Sequence, residues 1–81
     1  MNYYAYILQS EKDNRYYYGS TGNLAERLKQ HNLGKVPSTK HRRPLRLVYQ
    51  ESFAEKREAI QRERFFKTIA GYLWLKSEGI I

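Results

Sequence analysis

No cysteine occurs among the 81 residues, which excludes a disulfide framework and any thiolate metal site. Long apolar runs are missing too. No stretch approaches the roughly 20 residues that carry a helix through a bilayer, and the N-terminus lacks the charged and apolar regions of a secretory signal. A cytoplasmic protein without membrane attachment is therefore expected. There is no internal repeat, no low-complexity tract and no linker, so residues 1–81 read as a single domain. A chain of this length buries only roughly 60% of its unfolded surface, and its core must be thin. Acidic residues are the last shortage: eight Asp and Glu stand against fifteen Lys and Arg, a net charge of +7.

That charge on so small a body attracts polyanions. Lys35, Lys40, Arg42 and Arg43 fall together before Pro44 and are joined there by His41. Nucleic acid is the expected partner, because neutralising phosphates releases condensed counterions.

Two aromatic runs, Tyr3-Tyr4-Ala5-Tyr6-Ile7-Leu8 and Tyr16-Tyr17-Tyr18-Gly19, flank the polar segment Ser10-Glu11-Lys12-Asp13-Asn14-Arg15. The pattern predicts an antiparallel hairpin of residues 3–9 and 15–20. Asn23-Leu24-Ala25-Glu26 carries an N-cap with an acid three residues on, opening a helix from Leu24 to about Leu33 that Gly34 ends. Residues 35–44 form a basic loop. Leu45-Arg46-Leu47-Val48-Tyr49-Gln50 alternates as a third strand. Ser52-Phe53-Ala54-Glu55 reads as a capping box opening a long helix that ends near Gly71, with one more short helix over residues 72–77 and Ile80 and Ile81 returned to the core past Gly79. The expected fold is α+β, a three-stranded sheet built from the hairpin plus a third strand and flanked by helices.

Tyr6 and Tyr17 fall on neighbouring strands. A phenol with pKa near 10 is a poor base at neutral pH unless its surroundings change it. Arg27 and His31 follow within one helix turn of each other and project together. Arg27 offers either a fork of donors for a phosphate oxygen or an ordinary pairing with Glu26 or Asn23. His31 is either a proton shuttle or a cation at a helix C-terminus. Glu63 lies on the flank of the apolar stripe of its helix, where a carboxylate pairs, hydrogen-bonds or holds a cation. Arg62 is one partner for it. Lys67, one turn on, either pairs with Glu63 or contacts phosphate. Glu51, Glu55 and Glu58 read as cap or surface charges.

Tyr4-Ala5-Tyr6 and Tyr17-Tyr18-Gly19, followed by the Asn23–Arg27 helix start and the segment Arg62-Glu63-Arg64-Phe65-Phe66-Lys67, resemble the GIY-YIG nuclease superfamily in order and spacing. The likeness runs from Tyr3 to about Lys67 and is closest to small stand-alone members. Tyr4, Ala5 and Tyr18 depart from the name-giving letters at strand-packing positions, and Ser20 stands where excision-repair nucleases carry a lysine. The resemblance implies a divalent-metal-dependent endonuclease acting on DNA, with RNA also open, and with Tyr6, Tyr17, Arg27, His31 and Glu63 as catalytic residues. It implies one Mg²⁺ or Mn²⁺ ion on Glu63. The Tyr6 and Tyr17 hydroxyls, the Arg27 guanidinium and the Glu63 carboxylate are expected to open onto one concave surface. Lys35, Lys40, His41, Arg42, Arg43 and Lys67 would grip the nucleic-acid backbone. A monomer is expected, directed by substrate structure or by a protein partner that supplies targeting. The alternative is a nucleic-acid-binding module of the same fold without turnover.

Overall fold

Strand β1, Tyr3–Ser10, has Ala5, Tyr6, Ile7 and Leu8 all fully buried in succession. A strand buried on both faces belongs in the middle of a sheet covered on both sides. In the computed structural model, which describes Met1–Ile81, β1 is indeed central. Strand β2, Tyr16–Thr21, and strand β3, Leu45–Phe53, flank it in the order β2-β1-β3, both antiparallel to it.

The β1–β2 turn is held by Ser10, whose Oγ accepts from the backbone N–H of Lys12 and Asp13 at 3.1 and 3.2 Å. Asn14 takes the left-handed conformation at φ 61°, which asparagine tolerates better than most residues. Helix α1, Leu24–Asn32, opens on Asn23, whose Oδ1 accepts from the Glu26 N–H at 3.1 Å. Gly34 at φ 78° redirects the chain just beyond its end. The Asn32 carboxamide then acts as a strand partner for Leu45, donating to its carbonyl at 2.9 Å and accepting from its N–H at 2.8 Å. This clamp ties the end of α1 to the start of β3.

The second half differs from the reading of the sequence. Ser52 pairs with Tyr4, and Phe53 with Tyr3, in the β1–β3 ladder, so neither is free to open a helix. The capping box belongs to Glu55 and Glu58 instead, and helix α2 spans Lys56–Phe66. A separate helix, α3, covers Ile69–Ser77, capped by the Thr68 hydroxyl that accepts from the Gly71 N–H at 3.0 Å. The long helix expected from Ser52 to Gly71 is therefore broken at Lys67–Thr68. Gly71 sits inside α3 and is not a stop.

The sheet divides the core into two layers. On one face, Ala5, Ile7, Phe66 and Leu75 pack with Tyr18, Tyr49, Phe65, Trp74, Ile80 and Ile81. Arg62 lies over the rings of Phe65, Phe66 and Trp74 at 4.7, 5.2 and 4.6 Å and forms a two-point pair with Glu51 at 2.9 and 3.2 Å. Tyr49 donates to the same carboxylate at 2.5 Å. Glu51 is thus a half-buried structural acid rather than a surface charge, and it removes Arg62 as a partner for Glu63. On the other face, Tyr6, Leu8 and Leu45 pack with Tyr17, Leu24, Leu28 and Leu47 under α1.

Candidate active site

Gly19 lies opposite Tyr6 in the β1–β2 ladder. A side chain at position 19 would stand 2.5 Å from both the ring and the hydroxyl of Tyr6. Its absence lets the phenol lie across β2. Tyr17 is opposite Leu8, two residues along, so the two tyrosines share a face diagonally, with ring centroids 6.4 Å apart. His31, fully buried on the inner side of α1, meets Tyr6 and Tyr17 edge-on at 5.9 and 4.9 Å between centroids.

The hydrogen bonds join these groups in a chain. The Tyr6 hydroxyl lies 2.9 Å from His31 Nε2, and His31 Nδ1 lies 2.8 Å from Thr39 Oγ1. The Thr39 hydroxyl donates to the Val36 carbonyl at 3.4 Å. With that proton committed, Thr39 accepts from the His31 Nδ1–H, which leaves Nε2 as the acceptor for the Tyr6 O–H. Burial pushes the Tyr6 hydroxyl up to about 12, with Tyr17 adding to the rise and the Arg27 guanidinium beside it opposing it. Burial, and after it the charge of Arg27, brings His31 down to about 4. Both are neutral at physiological pH. His31 is therefore not the cation of a helix C-terminus.

A pH dependence of stability follows. His31 titrates near 4 when folded and near its ordinary 6.5 when unfolded, so between these values the unfolded chain holds a proton that the folded chain refuses. The contribution is complete above pH 6.5 and is lost as pH falls to 4, on the order of 3 kcal/mol. Urea midpoints measured over that range should drop more for the wild type than for His31→Gln. Parallel curves would show that His31 does not set the slope.

Arg27 is half-buried and donates to Gln30 Oε1 at 3.3 Å. No carboxylate neutralises it; the ion pairs of the molecule are Arg42–Asp13, Arg57–Glu55, Arg62–Glu51 and Lys67–Glu63. Glu63 reaches the cluster from α2, close enough for its charge to add to the rise at Tyr6. Its side chain is only 20% exposed, and Lys67 Nζ donates to it at 2.8 Å. Of the two roles open to Lys67, the structure has it in the ion pair. None of the four cavities of the molecule is lined by Tyr6, Tyr17, Arg27 or Glu63. Tyr6 and His31 fill the space beneath the cluster as core side chains, so what faces solvent there is a rim.

The basic loop is more built than its sequence suggests. Val36 and Thr39 are buried, and Lys40–Arg42 forms a 3₁₀ turn. Lys35, Lys40, His41 and Arg43 are exposed. Arg42 is not available in the same way: its guanidinium donates to the Tyr16 carbonyl at 3.3 Å and pairs with Asp13 at 3.6 Å, while its own carbonyl accepts from Ser10 Oγ at 2.6 Å. Arg42 ties the loop to the hairpin. Thr39, which orients His31, escaped the sequence reading. It lies eight residues further on in a loop, where no local pattern marks it.

The family description "GIY-YIG catalytic domain" matches residues 2–70. The chain belongs to the GIY-YIG family. Similar proteins include UPF0213 protein YazA of Bacillus subtilis, 46% identical over 69 residues that cover 84% of this chain and 69% of that protein. UPF0213 protein SH2523 of Staphylococcus haemolyticus is 47% identical over 75 residues, 91% of this chain and 90% of the relative. The solution structure of UPF0213 protein BH0048 from Bacillus halodurans matches with a TM-score of 0.56 at 36% identity, covering 95% of this chain and 84% of that one. This GIY-YIG domain thus has a nuclease-type α+β fold, and no helix in it is long and apolar enough to cross a membrane. Nucleases of the family generally use a divalent metal.

Proposed function

We propose that this domain hydrolyses DNA phosphodiester bonds as a metal-dependent endonuclease, with Tyr6, Tyr17, Arg27, His31 and Glu63 as its catalytic residues. The observation that carries the reading is the buried chain Tyr6–His31–Thr39 with an arginine beside it that no acid neutralises. A buried tyrosine that only packs needs one partner for its hydroxyl, not a histidine oriented in turn by a threonine beside an unneutralised arginine.

The donor set fits one hard cation. Glu63 is a single carboxylate whose charge reaches Tyr6, and no three His, Asp or Glu side chains come together as an all-protein cage would require. Mg²⁺ or Mn²⁺ typically takes one or two carboxylates and keeps water and substrate oxygens for the rest. Glu63 would hold the ion, exchanging its contact with Lys67 for it and freeing that lysine for phosphate. When bound, the ion supplies charge stabilisation for the scissile phosphate and the leaving oxygen.

The residues of the chain account for the remainder. Tyr6 is neutral and cannot act as a standing phenolate. It accepts a proton from the attacking water only by handing its own to His31 Nε2, along the hydrogen bond already made. A phosphate arriving at Arg27 offsets the positive charge that helps to hold His31 down, so substrate itself raises the basicity of the relay. Arg27 stabilises the non-bridging oxygens as charge develops. Tyr17, in edge contact with His31, borders the same rim and offers a hydroxyl to the phosphate. Exposed Lys35, Lys40, His41 and Arg43 contact flanking backbone, which positions the substrate without reading bases.

The test is a Mn²⁺-dependent nicking assay over duplex, branched and single-stranded DNA, with a matching RNA arm. Tyr6→Phe removes only the hydroxyl and should slow nicking by about 10²–10⁴-fold. It should also lower stability by about 1–3 kcal/mol, since a buried imidazole nitrogen loses its donor. Unchanged nicking by a folded Tyr6→Phe would refute the relay. Binding without nicking by the wild type on every substrate would favour a module that has lost turnover.

A further inference from the structure

The largest positively charged hollow of the molecule lies away from the tyrosines. A cavity of about 560 Å³ is lined by Lys12, Asn32, Lys40, His41, Arg43 and Pro44, with no acid and no large apolar side chain among them. Three segments distant in sequence meet there: the β1–β2 turn, the end of α1 and the basic loop. The cations are held in place by backbone carbonyls rather than by carboxylates. Lys12 Nζ donates to the His41 carbonyl at 3.1 Å, and Arg43 Nε donates to the Lys40 carbonyl at 2.9 Å. The Arg43 guanidinium also lies against Gly34, where a Cβ would come within 2.8 Å of it. Neither Lys12, Lys40 nor Arg43 takes part in an ion pair, whereas Arg42 next to them does. Their charge is left uncompensated, and that of Lys12 and Arg43 is also held in position.

A carbonyl contact orients a cation without cancelling its charge, and several such cations around one open hollow attract an anion. We infer that this cavity is a phosphate seat, a second binding point for nucleic acid apart from the scissile position. The inference rests on the reading of the chain as a nucleic-acid-binding domain and adds a defined receptor to it. Two neighbours of the seat connect it to the relay. Asn32 follows His31 and Lys40 follows Thr39 in the chain, and His31 and Thr39 are hydrogen-bonded to each other. A phosphate held by the seat bears on the segment that keeps His31 in register.

Titration with inorganic phosphate, followed by the amide resonances of the ¹⁵N-labelled chain, tests the seat without any need for cleavage. Saturable shifts centred on Lys12, Asn32, Lys40, His41 and Arg43 are expected even if the protein nicks no DNA. Failure of the nuclease reading and failure of the seat are therefore separate results. Two oligonucleotides of one sequence, with a 5′-phosphate or a 5′-hydroxyl, distinguish the sources of the group. Tighter binding of the phosphorylated strand assigns the seat to a strand end. Equal binding with the same five residues shifted assigns it to an internal phosphodiester. The double substitution Lys12→Gln with Lys40→Gln alters only exposed side chains and should lower the slope of log K against log [salt] by about 1.4–1.8. Phosphate shifts scattered over the surface lysines, or a salt slope unchanged in the double variant, would overturn the inference.

Discussion

Replacing Glu63 with glutamine is expected to lower metal-dependent nicking by about 10²–10³-fold, the loss typical of removing one well-placed electrostatic element. The amide keeps the shape of the side chain but not the charge that would hold a divalent ion. DNA affinity should change little, because the phosphate contacts proposed for binding lie on other residues. Stability reports separately on the alternative role. Glu63 pairs with Lys67 one turn on, and the lysine side chain is 53% exposed. An unpaired Lys67 can turn to water, so the cost should stay below about 1 kcal/mol. A thermal or urea midpoint lowered by several times that amount, with nicking unchanged, would make Glu63 a structural residue. The two measurements move in opposite senses under the two readings.

Gly71→Ala should produce the largest loss of stability of any single methyl group added to this chain. A Cβ there would stand 1.9 Å from the Phe65 carbonyl oxygen and 2.7 Å from its carbon. Both are backbone atoms, so no side chain can turn aside. Either α3 separates from α2 or the Lys67–Thr68 break reshapes, and in both cases Leu75 and Trp74 leave their contacts with Phe66 and Phe65. The cost is expected to reach about 3 kcal/mol or more, at or beyond the upper end of ordinary overpacking. Urea titration at neutral pH measures it directly. Gly79→Ala is the contrast: nothing lies within 4 Å of its added carbon, and only the positive φ of 71° opposes it. A Gly71→Ala midpoint equal to that of Gly79→Ala would refute the close helix contact as the reason for glycine.

What could be read from the sequence alone was whatever short-range chemistry determines. The hairpin followed from two aromatic runs around a polar turn, and α1 from an asparagine cap at one end and Gly34 at the other; both rest on contacts within a few residues. The basic footprint and the family motifs were legible for the same reason, as was the placement of Tyr6 and Tyr17 on neighbouring strands. Ser52 misled because two local rules applied to it at once, capping and strand continuation. Pairing of Ser52 and Phe53 with Tyr4 and Tyr3 decided between them, and those partners lie nearly fifty residues away. Arg42 looked like its neighbour Arg43 in sequence; only the position of Asp13 and the Tyr16 carbonyl made one a tether and left the other unpaired. The orientation of His31 by Thr39, the neutrality of both relay members and the hollow shared by Lys12, Asn32 and Lys40 belong to the tertiary structure. Each depends on burial or on groups from separate segments, and neither quantity has a local signature in the order of residues.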